Sequence, residues 1–264
     1  MKSSKAVWVL AAWIIAALLF NAGILFVQGQ QKALEFLTGY VIELSLSIDN
    51  LFVFFLIFSH FKIGPVQEKR VLSWGVLGAQ FMRAVFILAG VALLKRCHWV
   101  VYAFGILLVF SGFKLFFKKN KTPNLDQNIL LRLLKKTIPE NLSTFWVALI
   151  AVELADLIFA LDSIPAVLAV TKDPFIVYSS NIFAILGLRA LYLVLSPIFD
   201  MFRNLHYILG IILVFVGGKM ITDHLWPMPI GFALGFIVLV LSIFTMLSWP
   251  GLKRSRQHDE RKGA

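Results

Sequence analysis

Glu43 and Asp49 lie in one apolar stretch of the chain, and Glu153, Asp156 and Asp162 lie in another. Each stretch is long enough to cross a bilayer, which takes about 20 residues. An ionisable side chain at the bilayer centre costs at least roughly 2.5–3.5 kcal/mol on insertion scales, so such residues mark proton or cation pathways by default. Their neighbours are oxygen donors too: Asn50 follows Asp49, and Ser163 follows Asp162. Carboxylate, amide, hydroxyl and carbonyl oxygens suit hard cations such as Mg²⁺, Ca²⁺ or Mn²⁺, whereas zinc and copper favour His or Cys. His60, His98, His206, His224 and His258 fall in loops, tails or span ends, and the single cysteine, Cys97, falls in a loop. Nothing soft reaches the expected midplane. Arg83 and Arg189 sit inside two further apolar stretches and can balance two of the five acids. Some of the remaining carboxyls are expected to carry protons while no cation is bound. A divalent cation that displaces those protons gives a natural exchange cycle.

Helical spacing sorts these residues. Positions seven apart return to nearly the same face. Glu43, Ser47 and Asn50 form one stripe, and Glu153, Asp156 and Ser163 form its counterpart. Asp49 and Asp162 point about 120° away in regular helices. As equivalent residues of two copies, described below, they are expected to face each other. Pro165 removes a backbone donor beside Asp162 and predicts a broken helix there. Plainer roles exist for the same groups. Glu43 with Arg189, and Asp156 with Arg83, would make structural bridges. Asn50, Ser163 and Asn181 would hydrogen-bond between helices. Glu35, at a span end, reads as interfacial, and Lys114 and Lys219 read as snorkelling anchors.

The elements that must position these side chains are membrane spans. Of 264 residues, 59% are hydrophobic and 15% charged, where a soluble domain is nearer a quarter charged. One cysteine excludes an intramolecular disulfide and a Cys-cluster metal site. Eight spans are expected, at about 7–27, 35–58, 73–94, 99–118, 143–170, 176–199, 205–222 and 228–249. The first is read as a retained span rather than a signal peptide, because no small-residue cleavage site follows it. Trp8, Trp74, Trp99, Trp146, Trp226 and Trp249 fall near span ends, as interfacial aromatics do. Lys and Arg in the loops and tails number 17 on one side and 4 on the other. That bias places both termini and the long fourth loop in the cytoplasm. It also accounts for the net charge of +11 without nucleic acid.

A repeat organises the spans. Ile48-Asp-Asn-Leu-Phe-Val matches Leu161-Asp-Ser-Ile-Pro-Ala, and Glu43 falls on Asp156. Further on, Arg83 pairs with Arg189, Gly105 with Gly210, Gly112 with Gly217 and Lys114 with Lys219. Repeat one covers about 35–118 and repeat two about 143–222, with a cytoplasmic loop at about 119–142 and flanking helices at about 7–27 and 228–249. Three spans per copy make the copies inverted, a recurring transporter plan with its site near the midplane. The expected fold is therefore an all-α polytopic membrane protein, a single integral membrane domain. The segment from Asn124 to Lys136 reads as a helix lying on the cytoplasmic leaflet, and the basic tail as disordered.

Glu43-Leu-Ser-Leu-Ser-Ile-Asp-Asn-Leu-Phe-Val and Glu153-Leu-Ala-Asp-Leu-Ile-Phe-Ala-Leu-Asp-Ser-Ile-Pro-Ala resemble the two signature segments of the TerC tellurite-resistance family. Asn181-Ile-Phe-Ala-Ile-Leu-Gly-Leu-Arg-Ala-Leu-Tyr resembles that family's next segment. The resemblance covers about residues 35–225. It implies a bacterial inner-membrane protein of the lysine-exporter-like superfamily, in a family with members associated with manganese export. Carried over, Glu43, Asp49, Asn50, Glu153, Asp156, Asp162 and Ser163 match the motif acids and their neighbours. The resulting expectation is a secondary transporter that exports a divalent cation, manganese first, coupled to protons. Its partners are lipids, the cation and protons, with no permanently bound cofactor. No Gly-x-x-x-x-Gly-Lys-Ser/Thr loop is present, so neither ATP drive nor an enzyme is expected. The rivals are a membrane-assembly or scaffolding factor with a structural acid cluster, and a small amino-acid exporter that uses Arg83 and Arg189 for a carboxylate.

Overall fold

A computed structural model describes residues 3–97, 99–117, 142–195, 205–244 and 246, apart from the side chains of five of them, Asp49 and Arg189 included. The surface segment at 124–136 and the basic tail lie outside the described residues. Among those described there is no strand. The helices are α1 (Ser3–Gln28), α2 (Gln30–His60), α3 (Pro65–Arg96), α4 (Val100–Phe116), α5 (Thr144–Leu168), α6 (Pro174–Leu186), α7 (Leu188–Leu195), α8 (Leu205–Thr222) and α9 (Ile230–Phe244). Four of them, α1, α2, α3 and α5, are long and apolar enough to cross a membrane, and the others are shorter apolar helices. The protein is an all-α polytopic membrane protein.

Local chemistry sets the boundaries. Gly29 alone links α1 to α2 at φ 89, a conformation that costs glycine little and other residues much. The chain doubles back there, and Phe20 meets Phe36 with ring centroids 5.4 Å apart. Pro65 and Pro174 open α3 and α6, where a missing N–H costs nothing. Asp173 caps α6 by accepting from the Phe175 N–H at 3.0 Å. Helices α2 and α3 extend past the apolar spans expected from hydropathy, because their ends carry polar residues that remain helical.

Two expectations fail locally. No break occurs at Pro165: α5 runs through it to Leu168. The proline leaves the Leu161 carbonyl without its helical donor and crowds it, yet the helix absorbs this and ends three residues later. The interruption falls instead on Gly187, between α6 and α7, where glycine is the poorest helix former short of proline.

Small residues decide how the helices meet. Without a hydrophobic drive between helices in lipid, close packing supplies much of the association. Gly105 and Gly112 of α4 meet Gly217 and Gly210 of α8, so the two helices cross in opposite directions. A Cβ on Gly112 would lie 2.8 Å from the Gly210 carbonyl oxygen, and one on Gly217 would lie 2.7 Å from that of Gly105. Helix α3 packs on α5, α2 packs on α6 and α5, and α1 covers α2 and α7. Only 11% of the apolar window of α1 is buried, which makes it a peripheral helix. Trp8, Trp74, Trp99, Trp146 and Trp226 are all exposed.

Three apolar clusters fill the described interior, two of them along α3 and α5. One gathers Leu51, Phe54, Leu72 and Ala148–Ala155, and the other gathers Leu46, Ile87, Ile164 and Leu168. Along α3, Arg83 falls between the two clusters, and along α5 Asp156 and Ser163 do the same.

Candidate functional site

Arg83 projects from the middle of α3 and is 1% exposed. Its Nε and Nη2 donate to both oxygens of Asp156 on α5, at 3.1 and 2.8 Å. This is the two-pronged geometry in which guanidinium and carboxylate interact most strongly. Its Nη1 donates to Oε1 of Glu43 on α2 and lies 3.5 Å from Ser163 Oγ. One guanidinium thus joins three helices. Glu43 and Asp156, matched across the repeat, are held by the same cation. Sequence spacing pairs Glu43 with Arg189 instead. The structure gives Glu43 to Arg83, because α2 and α3 both pack against α5. The Arg189 side chain lies outside the described residues.

Several acceptors around this pair are unused. Oε2 of Glu43, Oγ of Ser47 and Oδ1 of Asn181 are buried with no hydrogen-bond partner. Ser47 is one turn from Glu43 along α2, and Asn181 sits on α6, which packs on α2. A buried polar atom without a partner costs about 1–3 kcal/mol, so three on neighbouring elements demand an explanation. Asn50 is also buried.

The other expected residues scatter. Glu153 is half-buried one turn from Asp156, with its carboxylate in the groove left by Gly78 of α3: a Cβ there would overlap it. Beside Asp156 lies a cavity of about 10 Å³, also bounded by Gly75, Ala79 and Val152. That is the lower limit for one water. Asp162 leaves the cluster altogether and accepts from Ser111 Oγ of α4 at 2.7 Å. Whether Asp49 faces it lies outside the described residues. Among the described residues no three carboxylate, imidazole or thiol groups converge closely enough to hold a metal. A cation here would need the hydroxyl and amide oxygens as well.

A second ionic cluster is absent from the sequence-based reading. Lys32 Nζ lies 2.9 Å from Glu35 Oε2 and 3.0 Å from Asp173 Oδ2. Thr171 Oγ1 donates to Glu35 at 2.5 Å, and the Asp173 N–H donates back to Thr171 at 3.2 Å. Glu35 is therefore packed within the protein, 5% exposed, at the start of α2 where it borders the vestibule. Its partner Thr171 is 136 positions away, beyond any spacing rule. The Asp-Pro at 173–174 was the one legible signal, as a helix start. Lys219 is likewise buried, with its ammonium 3.3 Å from Asp223, whereas Lys114 is exposed as an anchor would be. The Lys32 cluster and the Lys219–Asp223 pair border an open vestibule of about 1210 Å³ between the start of α2, the ends of α3, α5 and α8, and the start of α9.

The paired acidic segments and their arginine meet in one place, and comparison with known proteins agrees with the motif. The family described as "Integral membrane protein TerC family" matches residues 28–257. The chain belongs to the TerC family. It is 47% identical over 236 residues to an uncharacterized membrane protein of Myxococcus xanthus, covering 83% of this chain and 74% of that protein. It is 40% identical over 271 residues to Alx of Salmonella typhi, covering 93% and 84%. To Alx of Escherichia coli K12 it is 38% identical over 290 residues, covering 100% and 88%. The name given to Alx proposes a membrane-bound redox modulator. No solved structure matches. The TerC chain is thus a multi-pass membrane protein with bacterial relatives.

Proposed function

We propose that this TerC protein is a secondary transporter of the bacterial inner membrane that exports a divalent cation, manganese first, in exchange for protons. One observation carries the reading: Arg83 is clamped between carboxylates of the two acidic segments, while three buried acceptors on α2 and α6 have no donor. Among the described side chains, the two carboxylates and one guanidinium of this cluster leave one negative charge. Such a charge is expensive unless it is compensated. A proton on the cluster compensates it at rest, and an arriving cation displaces that proton. Arg83 acts as the resident counter-ion. It holds Asp156 by both oxygens and Glu43 by one, so the second Glu43 oxygen, with Ser47 and Asn181, is where an incoming cation finds ligands.

The donor set supports a hard cation, since carboxylate, hydroxyl and amide oxygens match Mn²⁺, Ca²⁺ and Mg²⁺ better than Zn²⁺. The choice of manganese rests on the family resemblance. Glu153, in its glycine groove beside the small cavity, supports an approach along the α3–α5 seam. The opposed glycine crossing of α4 and α8 supports two inverted copies. The loop bias in Lys and Arg supports cytoplasmic termini and makes the face with Lys32, Lys95 and Lys172 the outer one.

A redox role is the second reading, from the name given to Alx. Intramolecular dithiol exchange needs a second thiol, and Cys97 is alone. A purely scaffolding cluster would have no use for orphaned acceptors. The test is uptake of Mn²⁺, Ca²⁺, Mg²⁺ and Zn²⁺ into inside-out vesicles. Mn²⁺ flux should be abolished by Glu43→Gln and by Asp156→Asn in protein that still accumulates. Zinc moving best, or flux indifferent to both substitutions, would overturn the assignment.

A further inference from the structure

The vestibule and the Arg83 cluster are joined by one stripe of α2. Glu35 lines the vestibule. Gly39, Glu43 and Ser47 follow at four-residue steps, each about 6 Å further along the helix. This stripe faces α6 at its centre: a Cβ on Gly39 would lie 2.9 Å from Ser180 Oγ. Buried polar groups lie on both helices, with Thr38 of α2 and Ser180 of α6 at 0% exposure and Asn181 at 2%. The hydroxyls of Thr38 and Ser180 turn onto carbonyls of their own helices, Leu34 and Val177, at 2.6 and 3.0 Å. Such bonds can be given up and re-formed when the hydroxyl rotates toward another partner. Buried hydroxyl and amide groups are unusual between two apolar helices unless something polar passes, and at Gly39 the side chains of Ser180 and Val167 fill the space beside the backbone, so the seam is closed in this structure.

The outer end of the seam is closed by Lys32. Its ammonium bridges Glu35 on α2 and Asp173 at the α5–α6 corner, and Thr171 ties the same corner to Glu35. We propose that the α2–α6 seam is the outward half of the cation path, and that Lys32 is the residue that closes it against the vestibule. The occupant is a divalent cation leaving the Arg83 site. The proposal rests on the transport reading above. Lys32 and Asp173 are 32% and 27% exposed, so water can take over their charges when the corner swings away from α2. The vestibule beyond is lined by Lys32, Lys95, Lys172 and Lys219 against Glu35, Asp173 and Asp223. A basic surplus at the mouth lowers the local cation concentration there. That favours release over recapture and suits an exporter.

The test starts from Cys97→Ser protein carrying Ser180→Cys, with Thr38→Cys as a second reporter if the first does not accumulate. A membrane-impermeant thiol reagent is applied from the outer face. Labelling should be slow with Lys32 in place, and Lys32→Gln should speed it by about tenfold, the effect of shifting the closed state by about 1.4 kcal/mol. Separately, Lys32→Cys/Asp173→Cys protein joined by a short bifunctional thiol reagent should move Mn²⁺ at least tenfold more slowly than the same protein before joining. An unchanged labelling rate in Lys32→Gln, or undiminished flux in the joined protein, overturns the proposal. If the starting protein moves no divalent cation, the transport reading fails, and the labelling comparison still decides whether Lys32 closes the seam.

Discussion

At two depths of this molecule a basic side chain bridges two carboxylates, one from α2 and one from the second half of the chain. Arg83 does so at the centre, between Glu43 and Asp156, and Lys32 does so at the vestibule, between Glu35 and Asp173. The chemistry is the same and the surroundings are opposite. Arg83 is 1% exposed and held by fixed, directional bonds, whereas Lys32 is a flexible ammonium about one-third exposed. In the interior a charge cannot be released unless another replaces it, because the stranded carboxylates have no water. At the rim, water is the replacement. A transport cycle needs both kinds of bridge: one that yields only to a cation or a proton, and one that opens thermally.

This contrast predicts a graded response. The largest effect belongs to Arg83→Gln, which strands Glu43 and Asp156. Stability should fall by about 3–5 kcal/mol, visible as a lower melting temperature in detergent or as lost accumulation. Adding Asp156→Asn should restore part of that loss, since it removes one stranded charge. If the double variant is worse than the single, the two residues are not coupled as the geometry requires.

Gly78→Ala lies between the extremes. The new methyl overlaps the Glu153 carboxylate, which must swing out of its groove. Because a flexible side-chain end gives way rather than backbone, melting should drop by no more than about 1–3 kcal/mol. Flux should fall by more than stability does, if Glu153 serves the inward approach. Equal, proportionate losses would reduce Glu153 to packing.

Lys32→Gln should cost less, about 1.4 kcal/mol, the same shift that speeds labelling tenfold, because Lys32 and Asp173 are partly exposed and Glu35 keeps its hydrogen bond from Thr171. Its signature is accessibility. A melting drop as large as that of Arg83→Gln would erase the difference between centre and rim.

The smallest effect concerns pH. Burial pushes the Asp173 carboxyl up, but the hydrogen bond and charge of Lys32 and the N–H groups of Phe175 and Ile176 pull it down further, leaving it below the ordinary 3.8. A folded value below the unfolded one means that this stabilisation is complete above the ordinary aspartate range. It is lost only as pH falls through the folded value. Thiol labelling at position 180, corrected for reagent chemistry, should therefore stay flat from about pH 8 to about pH 5. A rise within that window would assign the closure to another group.

The sequence announces the centre far better than the rim. Glu43, Asp156 and Arg83 stand out because charge inside an apolar stretch is costly wherever it falls, and the glycine pairs stand out because their spacing repeats. Which acid meets which arginine depends on helix packing: the sequence allows Glu43 to bridge to Arg189, whereas the packing of α2 and α3 on α5 brings it to Arg83. Asp162 was placed with the cluster by motif, but Ser111 on a neighbouring helix draws it aside. Pro165 misled because a helix that packs well can absorb the lost bond of a proline without breaking. Lys32, Glu35, Thr171 and Asp173 are ordinary span-end residues one by one. Their meaning arises only when α2 and the α5–α6 corner touch.

The central claim is that the carboxylates held by Arg83 form the cation site, and equilibrium binding tests it most directly. Purified protein in detergent should bind Mn²⁺ and release protons as it does so. Glu43→Gln and Asp156→Asn protein, shown to be folded by its melting transition, should bind at least tenfold more weakly, a loss of about 1.4 kcal/mol or more. Undiminished Mn²⁺ binding by both folded variants would contradict the account.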